Sequence, residues 1–150
     1  MASPDSVSQY YLDSFGYGRV AVIQATQLNT SGNAVIALPI LSGGLTKGGA
    51  TANSGGIIIR RITLQNPSGS LSSAYVSIGT TNDGANIVVA NAQVTLTGTG
   101  LYQDLTIASP YNGNTVVSGA VTSALYVNIN TVSGNSNTCD ILVYGDVVTF

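Results

Sequence analysis

The chain has 150 residues, of which 44% are hydrophobic and 7% charged, with a formal net charge of −2; an average soluble protein is about 25% charged. Such a length suits one domain that buries roughly 70% of the surface its unfolded chain would expose. Few charges beside many apolar residues exclude a disordered chain, and four basic residues, only Arg60 and Arg61 adjacent, are too few for the phosphate contacts of a nucleic-acid partner.

The amino terminus, Met1-Ala2-Ser3-Pro4-Asp5, has neither the basic start nor the apolar centre of a secretory signal, so synthesis in the cytoplasm is expected. Residues 3 to 15 carry the one helix-like pattern. Ser3 can cap it, Pro4 suits its first position, and Val7, Tyr10, Tyr11 and Phe15 recur at helical spacing before Gly16. The reading is a short arm or helix over 1–18, followed by a β domain over 19–150; a turn packed on its own domain fits the same stripe.

From Arg19 onward, β-branched runs alternate with clusters of Gly, Ser, Asn and Thr, the pattern of an all-β antiparallel sandwich or barrel. Strands are expected near 19–29, 34–41, 57–66, 74–80, 86–97, 101–108, 124–131 and 138–149, about eight in all. Absence of Glu and scarcity of Lys and Arg remove the residues that dress exposed helices. No apolar run approaches the ~18 residues of a membrane helix, the densest being Ala34 to Leu41.

The run 34–41 is apolar on both sides, with Pro39 suggesting an edge or a bulge. Residues 42–56, nearly half glycine, read as a long surface loop without the Gly-Lys-Ser/Thr ending of a phosphate loop. In 57–66, alternation places Arg60 beside Ile62 and Leu64, and Arg61 beside Thr63 and Gln65. An arginine on an apolar face fits an interface or a buried pair, or a side chain that snorkels at the rim.

Val76 and Ile78, Val94 and Leu96, and Leu125, Val127 and Ile129 each form an inward face. So do Leu101, Leu105 and Ile107, opposite Tyr102, Asp104 and Thr106. The last run is two-sided, with Cys139, Ile141, Val143 and Val147 on one face and Leu142, Tyr144 and Val148 on the other, so both faces should be covered. Tyr75 to Thr80 and Tyr126 to Thr131 share a Tyr-Val-x-Ile-x-Thr pattern, which fits either duplicated halves or two similar strands.

Histidine is absent, and the single Cys139 falls on an apolar face, where a thiol is normally inert packing. Disulfide and Cys/His zinc sites are thereby excluded within the chain, and no cofactor is expected. Asn82-Asp83-Gly84-Ala85-Asn86 resembles part of a calcium loop but equally satisfies a turn. Asp83, Asp140 and Asp146 fall in turns or near strand ends and Asp104 on an outward face; a glycosidase would need two Asp facing across a cleft. Catalysis is not expected. Eight Tyr against two Phe and no Trp, with Tyr102, Tyr126 and Tyr144 facing away from core positions, suit a protein contact, or else a scatter of surface tyrosines.

The segment from Ile57 to Asn66, the paired Tyr-Val-x-Ile-x-Thr strands and the ending Asp140-Ile-Leu-Val-Tyr-Gly-Asp-Val-Val148 resemble small jelly-roll structural proteins of tailed bacteriophages. These include capsid decoration, or cement, proteins and the β-rich heads of fibres. The resemblance implies a jelly-roll-like β-sandwich acting as a homotrimer on the outer capsid surface of the virion, with the major capsid protein and its own copies as partners. The candidate capsid or subunit contacts, taken from the residue pattern, are Val7, Tyr10, Tyr11, Phe15 and Tyr17 of the arm and Arg60, Tyr102, Tyr126 and Tyr144 of the sandwich. The alternative is a receptor- or glycan-binding head whose outward tyrosines stack on sugar rings.

Overall fold

The computed structural model describes residues 18–30, 32–37, 55–83, 86–113, 115–118 and 124–149. Regular structure among them is entirely extended: β1 (Gly18–Gln27), β2 (Gly32–Ala37), β3 (Gly55–Gln65), β4 (Tyr75–Gly79), β5 (Ile87–Gln93), β6 (Tyr102–Leu105), β7 (Val116–Ser118), β8 (Ala124–Thr131) and β9 (Thr138–Thr149). The arm expected over 1–18, with Val7, Tyr10, Tyr11, Phe15 and Tyr17, lies outside the described residues except for Gly18, which opens β1. Pro39 and most of the long glycine-rich loop also lie outside them. Gly55 and Gly56, read as the end of that loop, are instead the first residues of β3 and pair with Thr149 and Val148.

Two sheets form. One has the order β1-β9-β3-β6, with β7 also on β3, and the other has the order β2-β8-β4-β5. All pairings are antiparallel and nested: β1 with β9, β2 with β8, β3 with β6, and β4 with β5, alternating between the sheets. The chain is thus a long strand ribbon wound into a β-sandwich around one core. The two Tyr-Val-x-Ile-x-Thr strands are not separate halves, because β4 and β8 are hydrogen-bonded neighbours with Tyr75 opposite Thr131 and Gly79 opposite Tyr126.

Inward side chains from both sheets make the core, including Ile57, Ile59, Ile62 and Leu64 of β3, Val76 and Ile78 of β4, Leu125 and Val127 of β8, and Ile141 and Val143 of β9. Each large one contributes about 1.5–3 kcal/mol of apolar burial. Leu28 and Leu71, from connections, fill the same core. At the β5 and β6 edges an isolated bridge between Val89 and Ile107 ties the two sheets together. The two-sided reading of β9 holds where side chains are described: Leu142, on the outward side, is buried, and Tyr144 and Val148 are half-buried.

Several expectations are corrected. Strand β5 stops at Gln93 rather than residue 97, because Val94 N donates to Ala74 O (2.9 Å) and Leu96 O accepts from Leu71 N (2.7 Å). The 71–74 turn replaces a strand partner there, so Val94 and Leu96 remain inward and buried. Leu101, expected inward, is 43% exposed. It follows Gly100, whose φ of 77° turns the backbone before β6 begins, so the alternation of β6 does not extend back to it. Strand β7 was not expected at all.

Arg60 is also corrected. A bulge in β3 between Ile59 and Arg61 places Arg60 as the extra residue opposite β9. The inward set therefore switches from Ile57 and Ile59 to Ile62 and Leu64, and Arg60 does not join the apolar side. Its Nε instead donates to Asp146 Oδ2 at 2.8 Å, on the outward side of β9. The bulge presses on Gly145, where an added Cβ would collide with the Ile58 carbonyl oxygen and lie 3.1 Å from that carbonyl carbon. Glycine is required there by space.

Candidate interaction surfaces

The outward face of the β1-β9-β3-β6 sheet can be built row by row from the register. One row runs Asp104, Thr63, Leu142, Val22 across β6, β3, β9 and β1; the next runs Arg61, Tyr144, Arg19 across β3, β9 and β1. Adjacency across these rows gives Asp104 its partners. Arg61 donates through Nε to Oδ1 (2.8 Å) and through Nη2 to Oδ2 (2.9 Å), and Thr63 Oγ1 donates to Oδ1 (2.7 Å). The Arg61 guanidinium also lies 6.0 Å from the centre of the Tyr144 ring. Burial raises the Asp104 carboxyl, but the Arg61 and Thr63 hydrogen bonds and the Arg61 charge together outweigh it and hold the carboxyl below its ordinary value of 3.8.

Asp140 and Asp146, although within β9, serve structure in the same way. Asp140 accepts from Ala25 N (2.9 Å), in the β1 bulge where Ala25 has φ 51°, and from Asn66 Nδ2 (2.8 Å). Asp146 accepts from Arg60. Each of these carboxylates accepts from neighbouring strands, and the one with a resolved shift, Asp104, moves opposite to the direction a general acid needs.

The opposite surface, on the β2-β8-β4-β5 sheet, has different chemistry. Tyr126, Asn128 and Asn130 of β8 alternate with buried Leu125, Val127 and Ile129 and therefore face outward, beside Tyr75 and Ser77 of β4. Asn130 Nδ2 donates to Ser77 Oγ (3.0 Å) and to Asn91 Oδ1 of β5 (2.9 Å), so one amide spans three strands. Asn128 Nδ2 is buried without a hydrogen-bond acceptor. No residue of β2, β4, β5 or β8 carries a formal charge.

A third feature lies at the edge. The column beside β3 is shared by β6, opposite Ile62–Gln65, and β7, opposite Gly56–Ile58. At the gap between them opens a pocket of about 300 Å³, lined by apolar Ile59, Leu105 and Ile107 and by Arg60, Arg61 and Asn112. That volume is at the lower limit of small-molecule sites, roughly 300–1,000 Å³. Cys139 lies elsewhere, fully buried, its thiol pushed up to about 12 by burial and by the neighbouring Asp140 charge. Among the described residues no three His, Cys, Asp or Glu come together. In the 82–86 turn, Thr81 Oγ1 donates to Asp83 Oδ1 (2.6 Å), and Thr80 N to Asn86 O (3.2 Å), while Asn86 takes φ 51°.

The contact residues read from the sequence therefore divide. Arg60 and Tyr144 share the outward face of the five-stranded sheet, with Tyr102, 66% exposed, at its β6 edge; Tyr126 stands on the other sheet. Sequence reasoning placed Asn128 and Asn130 with Tyr126 but missed the residues of β4 and β5 that share their face, namely Tyr75, Ser77 and Asn91, and missed the Arg61 to Asp104 pair. The outward alternation of Tyr126, Asn128 and Asn130 was a signal for the first; nothing local signals the second, because its members are 43 positions apart. Compared with known protein families, curated proteins and solved structures, the chain matches none.

Proposed function

We propose that the protein is a non-enzymatic virion structural protein, a capsid decoration protein that binds and stabilises the major capsid shell as a homotrimer on the outer surface of the virion. The observation that carries this reading is the inequality of the two outer faces. One holds carboxylate and guanidinium groups already paired with each other, and the other is a tyrosine and amide surface without formal charge. A domain of a shell-bound homotrimer presents one side to protein, its own copies included, and another to solvent, and interface centres are poor in charge and rich in Tyr.

The nested antiparallel pairing in two sheets supports the same reading, since a double-sheet winding is what the jelly-roll fold implied by the resemblance to phage structural proteins requires. A protein that binds only the expanded shell stabilises that state by mass action, and threefold attachment multiplies weak contacts into avidity. Co-sedimentation of the purified protein with expanded and unexpanded capsids tests the proposal. Retention on the expanded shell is expected; a protein that stays monomeric and remains in the supernatant sinks it.

A glycan-binding head is the second reading, favoured by one observation: Tyr75 and Tyr126 stand beside Asn128 and Asn130 on one uncharged face. It predicts glycan-array binding that is lost in Tyr126→Ala and kept in Tyr102→Ala, because Tyr102 belongs to the other sheet.

A further inference from the structure

We infer that the outward face of the β2-β8-β4-β5 sheet is where a second copy of this chain docks. Charge placement is the starting point. Of the charged residues that are described, Arg19, Arg60, Arg61, Asp104, Asp140 and Asp146 all lie in β1, β3, β6 or β9, and Asp83 lies in the β4–β5 turn. The four strands of the other sheet have none, although strands with a solvated outer face commonly carry charge there and edge strands especially so.

The residues that replace charge on this face are Tyr75, Ser77, Asn91, Tyr126, Asn128 and Asn130. Their chemistry selects the occupant. Every amide and hydroxyl offers both a donor and an acceptor, so an identical surface turned about a rotation axis can present acceptors to donors and donors to acceptors. A strongly acidic or basic partner would find no counter-charge here and would lose solvation without compensation. Copies that each carry a net charge of −2 meet through this face without bringing like formal charges together. The Tyr rings supply apolar area.

This inference rests on the self-association part of the proposed function and not on its capsid part. The test measures the mass of the purified full chain across a concentration series by sedimentation equilibrium, for the wild type and for Asn91→Lys, Asn130→Lys and Val22→Lys. Asn91 and Asn130 belong to the face in question, and Val22, 38% exposed, belongs to the opposite one. Association of the wild type is expected to weaken by about tenfold or more in Asn91→Lys and Asn130→Lys, because a lysine ammonium is desolvated against an uncharged surface that offers it no counter-charge. Val22→Lys is expected to associate like the wild type.

Circular dichroism identifies a variant that fails to fold. In that event hydroxyl-radical footprinting of the wild type decides: Tyr75 and Tyr126 should be protected at high concentration relative to dilute protein, and Tyr102 should not. A wild type of single-chain mass at every concentration overturns the inference. So does dissociation by Val22→Lys alone, protection of Tyr102 instead of Tyr126, or a monomer whose Tyr126 face binds glycans. Self-association through this face without capsid retention would remove the decoration reading and keep the inference; capsid retention by a monomer would do the reverse.

Discussion

Replacing Gly145 with alanine adds one methyl group where β9 lies against the bulge of β3. The new Cβ would collide with the Ile58 carbonyl oxygen, with the carbonyl carbon at 3.1 Å and Ile59 Cα at 3.3 Å. All three atoms are backbone, so no rotamer change relieves the contact. Strand β9 is hydrogen-bonded to β1 on one side and β3 on the other, so it cannot move away without breaking a ladder. Overpacking of this kind costs about 1–3 kcal/mol, and the absence of a yielding side chain puts Gly145→Ala near 3. At about 2–4 °C per kcal/mol for a chain of this size, Tm should fall by roughly 6–12 °C. Thermal unfolding followed by circular dichroism measures it, with Gly98→Ala as the reference, because a Cβ at Gly98 meets nothing within 4 Å. Equal Tm values for the two variants would refute the argument that the β3 bulge requires a glycine opposite it.

Two other predictions concern titratable groups. Since the folded Asp104 carboxyl is held below 3.8, its pair with Arg61 stabilises the fold fully above that value, and the contribution disappears as pH falls through the lower, folded value. The side chain of Asp104 is 43% exposed, so solvent limits the effect to the upper part of about 0.2–1 kcal/mol. Urea midpoints of wild type and Asp104→Asn should therefore differ at neutral pH and converge in acid; a gap that persists in acid contradicts the assignment. With its thiol raised to about 12 and fully buried, Cys139 should resist iodoacetamide in the folded protein at neutral pH and react on addition of denaturant. Labelling of the folded protein at the rate of a free thiol would show that β9 is not packed as described.

Much of the fold was legible because the inward faces of strands such as β4, β8 and β9 are apolar. Leu125, Val127 and Ile129 define β8 and its direction by themselves, and the inward set of β9 does the same. Arg60 was misplaced because alternation assumes an unbroken ladder, whereas the bulge that shifts it depends on Gly145 in another strand. Strand β7 escaped notice because Val116, Val117 and Ser118 are too short a run to alternate, and it exists by pairing with β3. The surfaces were legible one residue at a time and not as sets. Tyr102 and Tyr126 both read as outward tyrosines, yet strand order sends them to different sheets, and strand order is a nonlocal property that periodicity does not encode. That the charged residues within strands all fall in one sheet is written in the sequence but becomes visible only once strands are assigned to sheets.

The nested pairing has a consequence for how the chain folds. The hairpin of β4 and β5 is local, whereas β9 belongs between β1 and β3, with contacts such as Ala25 to Asp140 spanning 115 positions. During synthesis, β1 and β3 must wait with unpaired edges until residues 138–149 emerge, and closing such long loops places the fold among the slow, millisecond-to-second class of β-topologies. The two bulges in β1, which interrupt the regular register of its ladder, make that waiting edge a poor template for a neighbouring chain. A strand made after β1 and β3 yet placed between them makes residues 138–149 decisive for solubility as well as for stability.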